Sequence, residues 1–115
     1  MSIFGEIDKN RKTAIYIRIS TSMQQTDRQR EELLDYAMRN DIEISEEDIY
    51  VDIISGFKEG ETRPNYGFLK RKVEDGVYQQ ILFSEFSRLD RKPSNLLKSI
   101  EYYQSKDVHL FFKKQ

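Results

Sequence analysis

The chain contains no cysteine. That excludes a disulfide framework, a cysteine-ligated zinc site and a thiolate nucleophile. It has one histidine, His109, which is too few for a histidine metal cage. That residue falls inside a short apolar run, VHLFF, and suits an edge or core position better than a catalytic base. Glycine is sparse, and neither GxGxxG nor a GxxxxGK phosphate loop occurs, so a nucleotide has no glycine-rich cradle. No apolar run approaches the roughly 20 residues that span a bilayer. The opening residues MSIFGEIDKNRK lack the apolar stretch and cleavage site of a secretory signal. The expectation is a cytoplasmic protein without membrane contact. Nor is there a global excess of positive charge: 19 Lys+Arg stand against 20 Asp+Glu, a formal net charge of -1.

What is present suffices for one domain of 115 residues. Charge is divided unevenly: residues 1–60 carry 8 basic and 13 acidic side chains, residues 61–115 carry 11 and 7. The six acids between Asp41 and Asp52 read as a solvated turn. Apolar residues fall in blocks that alternate between strand and helix patterns. TAIYIRI (13–19) is short and β-rich. Thr26-Asp27 offers a helix cap, and Leu33, Leu34, Ala37 and Met38 recur at helical spacing, predicting a helix over about 27–40. IYVDII (49–54) is a second strand. Pro64 suits the first turn of a second helix, with Tyr66, Leu69 and Val73 on its apolar face and Asp75-Gly76 at its end. A third strand begins over 80–83. Pro93 opens a third helix, with Leu96, Leu97, Ile100 and Tyr103 expected to face inward, and VHLFF (108–112) is a fourth strand. Of Tyr102 and Tyr103, at least one belongs to the core. Such alternation predicts an α/β domain: a mostly parallel sheet of four to five strands flanked by helices. Sites in these folds lie beyond the carboxyl ends of the strands.

Those strand ends carry hydroxyls and guanidinium groups. Arg18, Ser20 and Thr21 close the first strand. Asp52, Ser55, Gly56 and then Arg63-Pro64 follow the second, and Ser87-Arg88-Leu89-Asp90-Arg91 follows the third. Serine and arginine, without a histidine base, suit phosphoryl transfer better than acyl transfer. The phosphoryl transition state spreads negative charge over oxygens, and catalysis there is mostly positioning and charge stabilisation. Arginine offers planar paired donors that stay charged at neutral pH. Each residue also has a plainer role open to it. Ser20 could cap a turn, Gln29 could be a surface helix residue, Asp52 could start a turn, and Arg88 and Arg91 could pair with Glu85 or Asp90. Lys113 and Lys114 suit a solubilised strand end.

The segment Tyr16-Ile17-Arg18-Ile19-Ser20-Thr21, with Gln29 nine residues after Ser20, resembles the opening motif of the serine site-specific recombinases. The resemblance continues through Asp52-x-x-Ser55-Gly56, Arg63-Pro64 and Arg88-x-x-Arg91. It implies a three-layer resolvase-like catalytic domain over 13–115, preceded by a flexible extension over 1–12. It implies that Ser20 attacks a DNA phosphodiester, forming a 5′-phosphoserine link and releasing a 3′ hydroxyl, with no metal or other cofactor. Arg18, Arg88 and Arg91 would hold the scissile phosphate, Arg63 would complete the basic site, and Gln29 would position Ser20, its loop or a phosphate. Asp52 would orient an arginine, and Tyr16 would support the site. The implied partners are DNA and further copies of the protein, as dimer and tetramer, at the nucleoid. The family's long oligomerisation helix and separate DNA-binding domain are expected to be absent from this chain. The family often has an acid immediately before the first arginine of the RxxR pair; Ser87 stands there instead. The loops 20–26 and 57–62 are expected to be mobile. Two other functions compete: a non-catalytic remnant that pairs with an intact recombinase, and a phosphotransfer enzyme for small phosphate esters.

Overall fold

Strand β1 (Thr13–Ile19) is buried along its whole length. A strand covered on both faces reads as a nearly continuous apolar run, and TAIYIRI sits at the centre of the sheet. The structure, a computed structural model, describes residues 6–19, 23–54 and 63–114. In order they form β1, α1 (Met23–Arg39), a 3-10 turn (Glu46–Asp48), β2 (Ile49–Ile53), α2 (Pro64–Glu74), β3 (Gln80–Glu85), α3 (Phe86–Leu89), α4 (Pro93–Ser105) and β4 (His109–Lys114). The four strands lie in the order β2-β1-β3-β4. All three pairings are parallel.

This order fixes where the helices go. The chain steps one way from β1 to β2, then back across β1 to β3 and on to β4. Right-handed crossovers put helices of opposite direction on opposite faces, and the side-chain packing follows that rule. Ile15, Ile17 and Ile19 of β1 and Leu82 of β3 pack with Leu33 and Ala37 of α1. Ala14, Tyr16, Ile81 and Phe83 pack on the other face, with Tyr66, Leu69 and Val73 of α2, Leu89 of α3 and Tyr103 of α4. The result is three layers. Each fully buried Leu or Ile contributes about 1.5–3 kcal/mol, and aromatic contacts such as Phe83 on Phe112, stacked at 5.0 Å, add to it.

Helix ends follow local chemistry. Gly76, with φ +79, reverses the chain after α2, and the amide of Val77 reaches back to the Lys72 carbonyl at 2.9 Å. The same motif ends α1 and α4, with Asp41 (φ 59) and Asp107 (φ 56) in the left-handed position. There the amides of Ile42 and Val108 return to the Ala37 and Tyr103 carbonyls, both at 2.9 Å.

Several expectations change. Helix α1 starts at Met23, not at 27, so Gln24 and Gln25 belong to a helix and not to a polar loop. Met23, Gln24 and Gln25 are all adequate helix formers, and propagation from the packed part of α1 extends through them. Leu97 points outward and is 58% exposed, while Leu96, Ile100 and Tyr103 pack inward. Leu96, Ile100 and Tyr103 recur at i, i+4 and i+7 on one helical face, and Leu97 lies off it. The short helix α3 was not foreseen. The extension is tied to the domain over its described part. The amide of Asp8 donates to Gln80 Oε1 (3.0 Å), Gln80 Nε2 donates to the Asp8 carbonyl (3.1 Å), and Ile7 joins the α1-side core.

Candidate functional site

The chain's direction reverses between β1 and β3, and the carboxyl ends of those two strands form the crevice where such sheets place ligands. Arg18 ends β1 on the α2 side of the sheet, with Asp52 opposite it on β2. Its side chain is 3% exposed. A buried guanidinium requires hydrogen-bond acceptors, and one of them is the Ser87 carbonyl, to which Arg18 Nη2 donates. That bond joins the end of β1 to α3, which follows β3 without a break. Arg88 leaves α3 half-buried, its Nη2 3.2 Å from Glu85 Oε1. Arg91 lines a shallow cleft of about 310 Å³ together with Glu85, Phe86, Ser87, Asp90 and Leu96. Arg18 thus reaches the backbone of the segment that carries Arg88 and Arg91, at the carboxyl end of one face of the sheet. Ser20, the expected nucleophile, lies two residues beyond Arg18 and outside the described residues, as do Thr21, Ser55 and Gly56.

Tyr16 and Asp52 form the floor. The Tyr16 hydroxyl donates to Asp52 Oδ2 at 2.7 Å, and the amides of Asn65 and Tyr66 donate to the same carboxylate at 3.0 and 2.9 Å. Asp52 therefore caps the first turn of α2 from the neighbouring strand. Its hydrogen bonds come from a phenol and two amides, not from the arginine it was expected to orient. Burial raises the Tyr16 hydroxyl well above the usual tyrosine range, and the adjoining Asp52 carboxylate raises it further. The phenol stays protonated and donating. Asn65 Nδ2 closes the corner on the Val51 carbonyl at 2.6 Å.

Arg63 is turned into the protein. Its Nη1 donates to the Leu89 carbonyl at 2.7 Å, and its guanidinium carbon lies 4.1 Å from the Tyr66 ring centroid. Gln29 is buried on α1, across the sheet from the arginines, with Ser84 Oγ 3.5 Å from its Oε1. It is not brought into the arginine cluster. His109 lies at the opposite, amino-terminal end of the sheet, at the start of β4. Burial and the nearby Arg11 lower its pKa.

Glu85 is a site residue whose partners the sequence left open. It accepts from Ser87 Oγ at 2.7 Å and pairs with Arg88, so a carboxylate faces that arginine although Ser87 occupies the position before it. The signal was the i, i+3 spacing of Glu85 and Arg88, which places them on one face only once residues 86–89 are known to be helical.

The family described as Resolvase, N terminal domain, matches residues 13–115. Among solved structures, the chain is similar to the C-terminal catalytic domain of ISC1926 TnpA, an IS607-like serine recombinase, with 26% identity and a TM-score of 0.73 over 90% of this chain and 70% of that one. It is also similar to the N-terminal catalytic domain of TP901-1 integrase, with 26% identity and a TM-score of 0.72 over 85% and 74%. A serine recombinase from Sulfolobus solfataricus shares the fold at 22% identity, with a TM-score of 0.66 over 90% and 68%. No curated protein sequence matches. The α/β fold, with its parallel sheet, is that of the resolvase-like catalytic domains. The chain belongs to the resolvase N-terminal-domain family, whose match spans nearly all of it. No helix among the described residues is long and apolar enough to cross a membrane.

Proposed function

We propose that this domain cuts and rejoins DNA with Ser20 as nucleophile. The observation that carries the proposal is the meeting of Arg18 with the Arg88–Arg91 segment, joined through the Ser87 carbonyl. Ser20 Oγ loses its proton and bonds to a backbone phosphorus, and the bond from phosphorus to the 3′ oxygen breaks. The released 3′ oxygen takes up a proton and leaves as a hydroxyl, and a 5′-phosphoserine ester remains. Religation runs the same step in reverse: a 3′ hydroxyl attacks the phosphoserine phosphorus and Ser20 is regenerated. One phosphoester replaces another at each step, so no high-energy cofactor is consumed. Arg18, Arg88 and Arg91 supply fixed positive charge against the oxygens of the transition state. Tyr16 and Asp52 hold the floor beneath them. Gln29, on α1, has the role of positioning Ser20 or its loop. Exchange of DNA ends requires two cut sites, and therefore further copies of the domain, as dimer and tetramer acting on DNA at the nucleoid.

The test is covalent adduct formation by this domain fused to a sequence-specific DNA-binding module, on DNA carrying the matching site. Ser20→Ala should abolish the detergent-resistant protein–DNA adduct and leave thermal melting unchanged. An adduct persisting in that variant excludes Ser20.

A further inference from the structure

Arg63 precedes α2 at its N-cap position, yet its side chain serves another helix. Nη1 donates to the Leu89 carbonyl at 2.7 Å and reaches the Arg88 carbonyl at 3.4 Å. Nη2 is 3.6 Å from Asp90 Oδ1, and both side chains are only 15% exposed. One face of the guanidinium rests on the Tyr66 ring. Helix α3 has four residues, too few for its last carbonyls to find partners within it. A planar fork can hold two such carbonyls, meet a carboxylate and lie flat on an aromatic ring at the same time, which a lysine ammonium cannot do. Asp90 sits between Arg88 and Arg91 in sequence, where an unpaired negative charge would repel a phosphate. It is held by Arg63 on one side and by the Ser99 hydroxyl on the other.

We infer that Arg63 is a positioning residue and not a phosphate ligand: it clamps the turn from which Arg88 and Arg91 project, and it neutralises Asp90 within that turn. This rests on the reading of Arg18, Arg88 and Arg91 as the phosphate cradle. With Nη1 on two carbonyls, Nη2 beside Asp90 and the guanidinium over the Tyr66 ring, Arg63 adds little net positive charge to the cleft. Its contribution is the direction in which the other two arginines point. Binding of a DNA phosphate should therefore leave Arg63 where it is.

The experiment is a titration of the 115-residue chain with a short DNA duplex at low ionic strength, following the arginine side-chain Nε–Hε signals by NMR after through-bond assignment. No variant has to fold for this measurement. The expected result is that Arg88 and Arg91 shift with added duplex while Arg63 does not. A shift of Arg63 comparable to theirs overturns the inference and leaves the cradle intact. Silence of Arg88 and Arg91 instead overturns the cradle reading, and this inference with it. In a parallel binding assay, Arg63→Lys and Arg63→Gln should weaken duplex affinity by a similar factor, on the order of tenfold. A phosphate ligand would be rescued by lysine, which still binds phosphate as a point charge. Near-wild-type affinity for Arg63→Lys alone therefore also overturns the inference.

Discussion

Replacing Asp52 by alanine should cost this domain more than any other single polar substitution on the α2 side of the sheet. The carboxylate is 3% exposed and accepts three hydrogen bonds within 3.0 Å. Its removal strands the Tyr16 hydroxyl and the Asn65 and Tyr66 amides. A buried donor left without a partner costs about 1–3 kcal/mol, and loss of a helix cap about 0.5–2 kcal/mol. These overlap at the two amides, so Asp52→Ala should destabilise by about 3–6 kcal/mol, beyond the ordinary range for point mutants. With a urea m-value of about 1.5 kcal/mol/M the midpoint would fall by about 2–4 M. Tyr16→Phe deletes one donor and leaves the cap in place, so it should cost only about 1 kcal/mol. Far-UV circular dichroism in urea measures all of these, and a cycle with Asp52→Asn reports the Tyr16–Asp52 coupling, expected at about 0.5–3 kcal/mol. If Asp52→Ala shifts stability by less than about 1 kcal/mol with an unchanged m-value, the carboxylate does not hold α2.

Other consequences are open to measurement. Glu85→Gln should change stability by no more than about 1 kcal/mol, because both partners are partly solvated. The same variant should strengthen binding of inorganic phosphate, read by calorimetry, because Arg88 is released from a competing carboxylate; weaker binding would refute that role. Asp48 is buried, and burial acts to raise its pKa, but hydrogen bonds from the Ser45 amide, Lys12, Tyr78 and the Ser45 hydroxyl outweigh it and hold the pKa below 3.8. The unfolded chain therefore binds the proton first as pH falls. Stability from this group is complete above pH 3.8 and declines below it, and Asp48→Asn should flatten that limb in acid denaturation curves. Tyr16, Tyr66, Tyr78 and Tyr103 all titrate above the ordinary value of 10.0, burial being the largest cause in each. Above pH 10 the unfolded chain loses protons that the native state keeps, so stability falls, and the rise in phenolate absorbance should coincide with unfolding. Asp41→Gly should stabilise by about 1 kcal/mol in thermal melts, because φ 59 strains any residue with a Cβ.

Elements with a local cause could be read from the residues alone. β1 was legible because a centrally buried strand must be apolar on both faces. α2 and α4 were legible because Pro64 and Pro93 each precede an apolar helical pattern, and within a helix proline is tolerated only in the first turn. The end of α2 was legible because Gly76 takes a positive φ. The order of Arg18, Arg63, Arg88 and Arg91 along the chain was likewise enough to suggest phosphate chemistry, since arginines at strand ends gather at one edge of any parallel sheet. What each polar group touches came from the packing of the elements. Hydrogen bonds depend on distances between segments far apart in the chain, and no periodicity encodes them. Asp52 and Asn65, thirteen residues apart, meet because α2 packs beside β2. Arg63 reaches the carbonyls of Arg88 and Leu89 across twenty-five and twenty-six residues, because α2 and α3 share one face of the sheet. Leu97 turns outward beside Leu96 because one helix presents one face to one core. Residue type named the chemistry, and the strand order β2-β1-β3-β4 chose the partners.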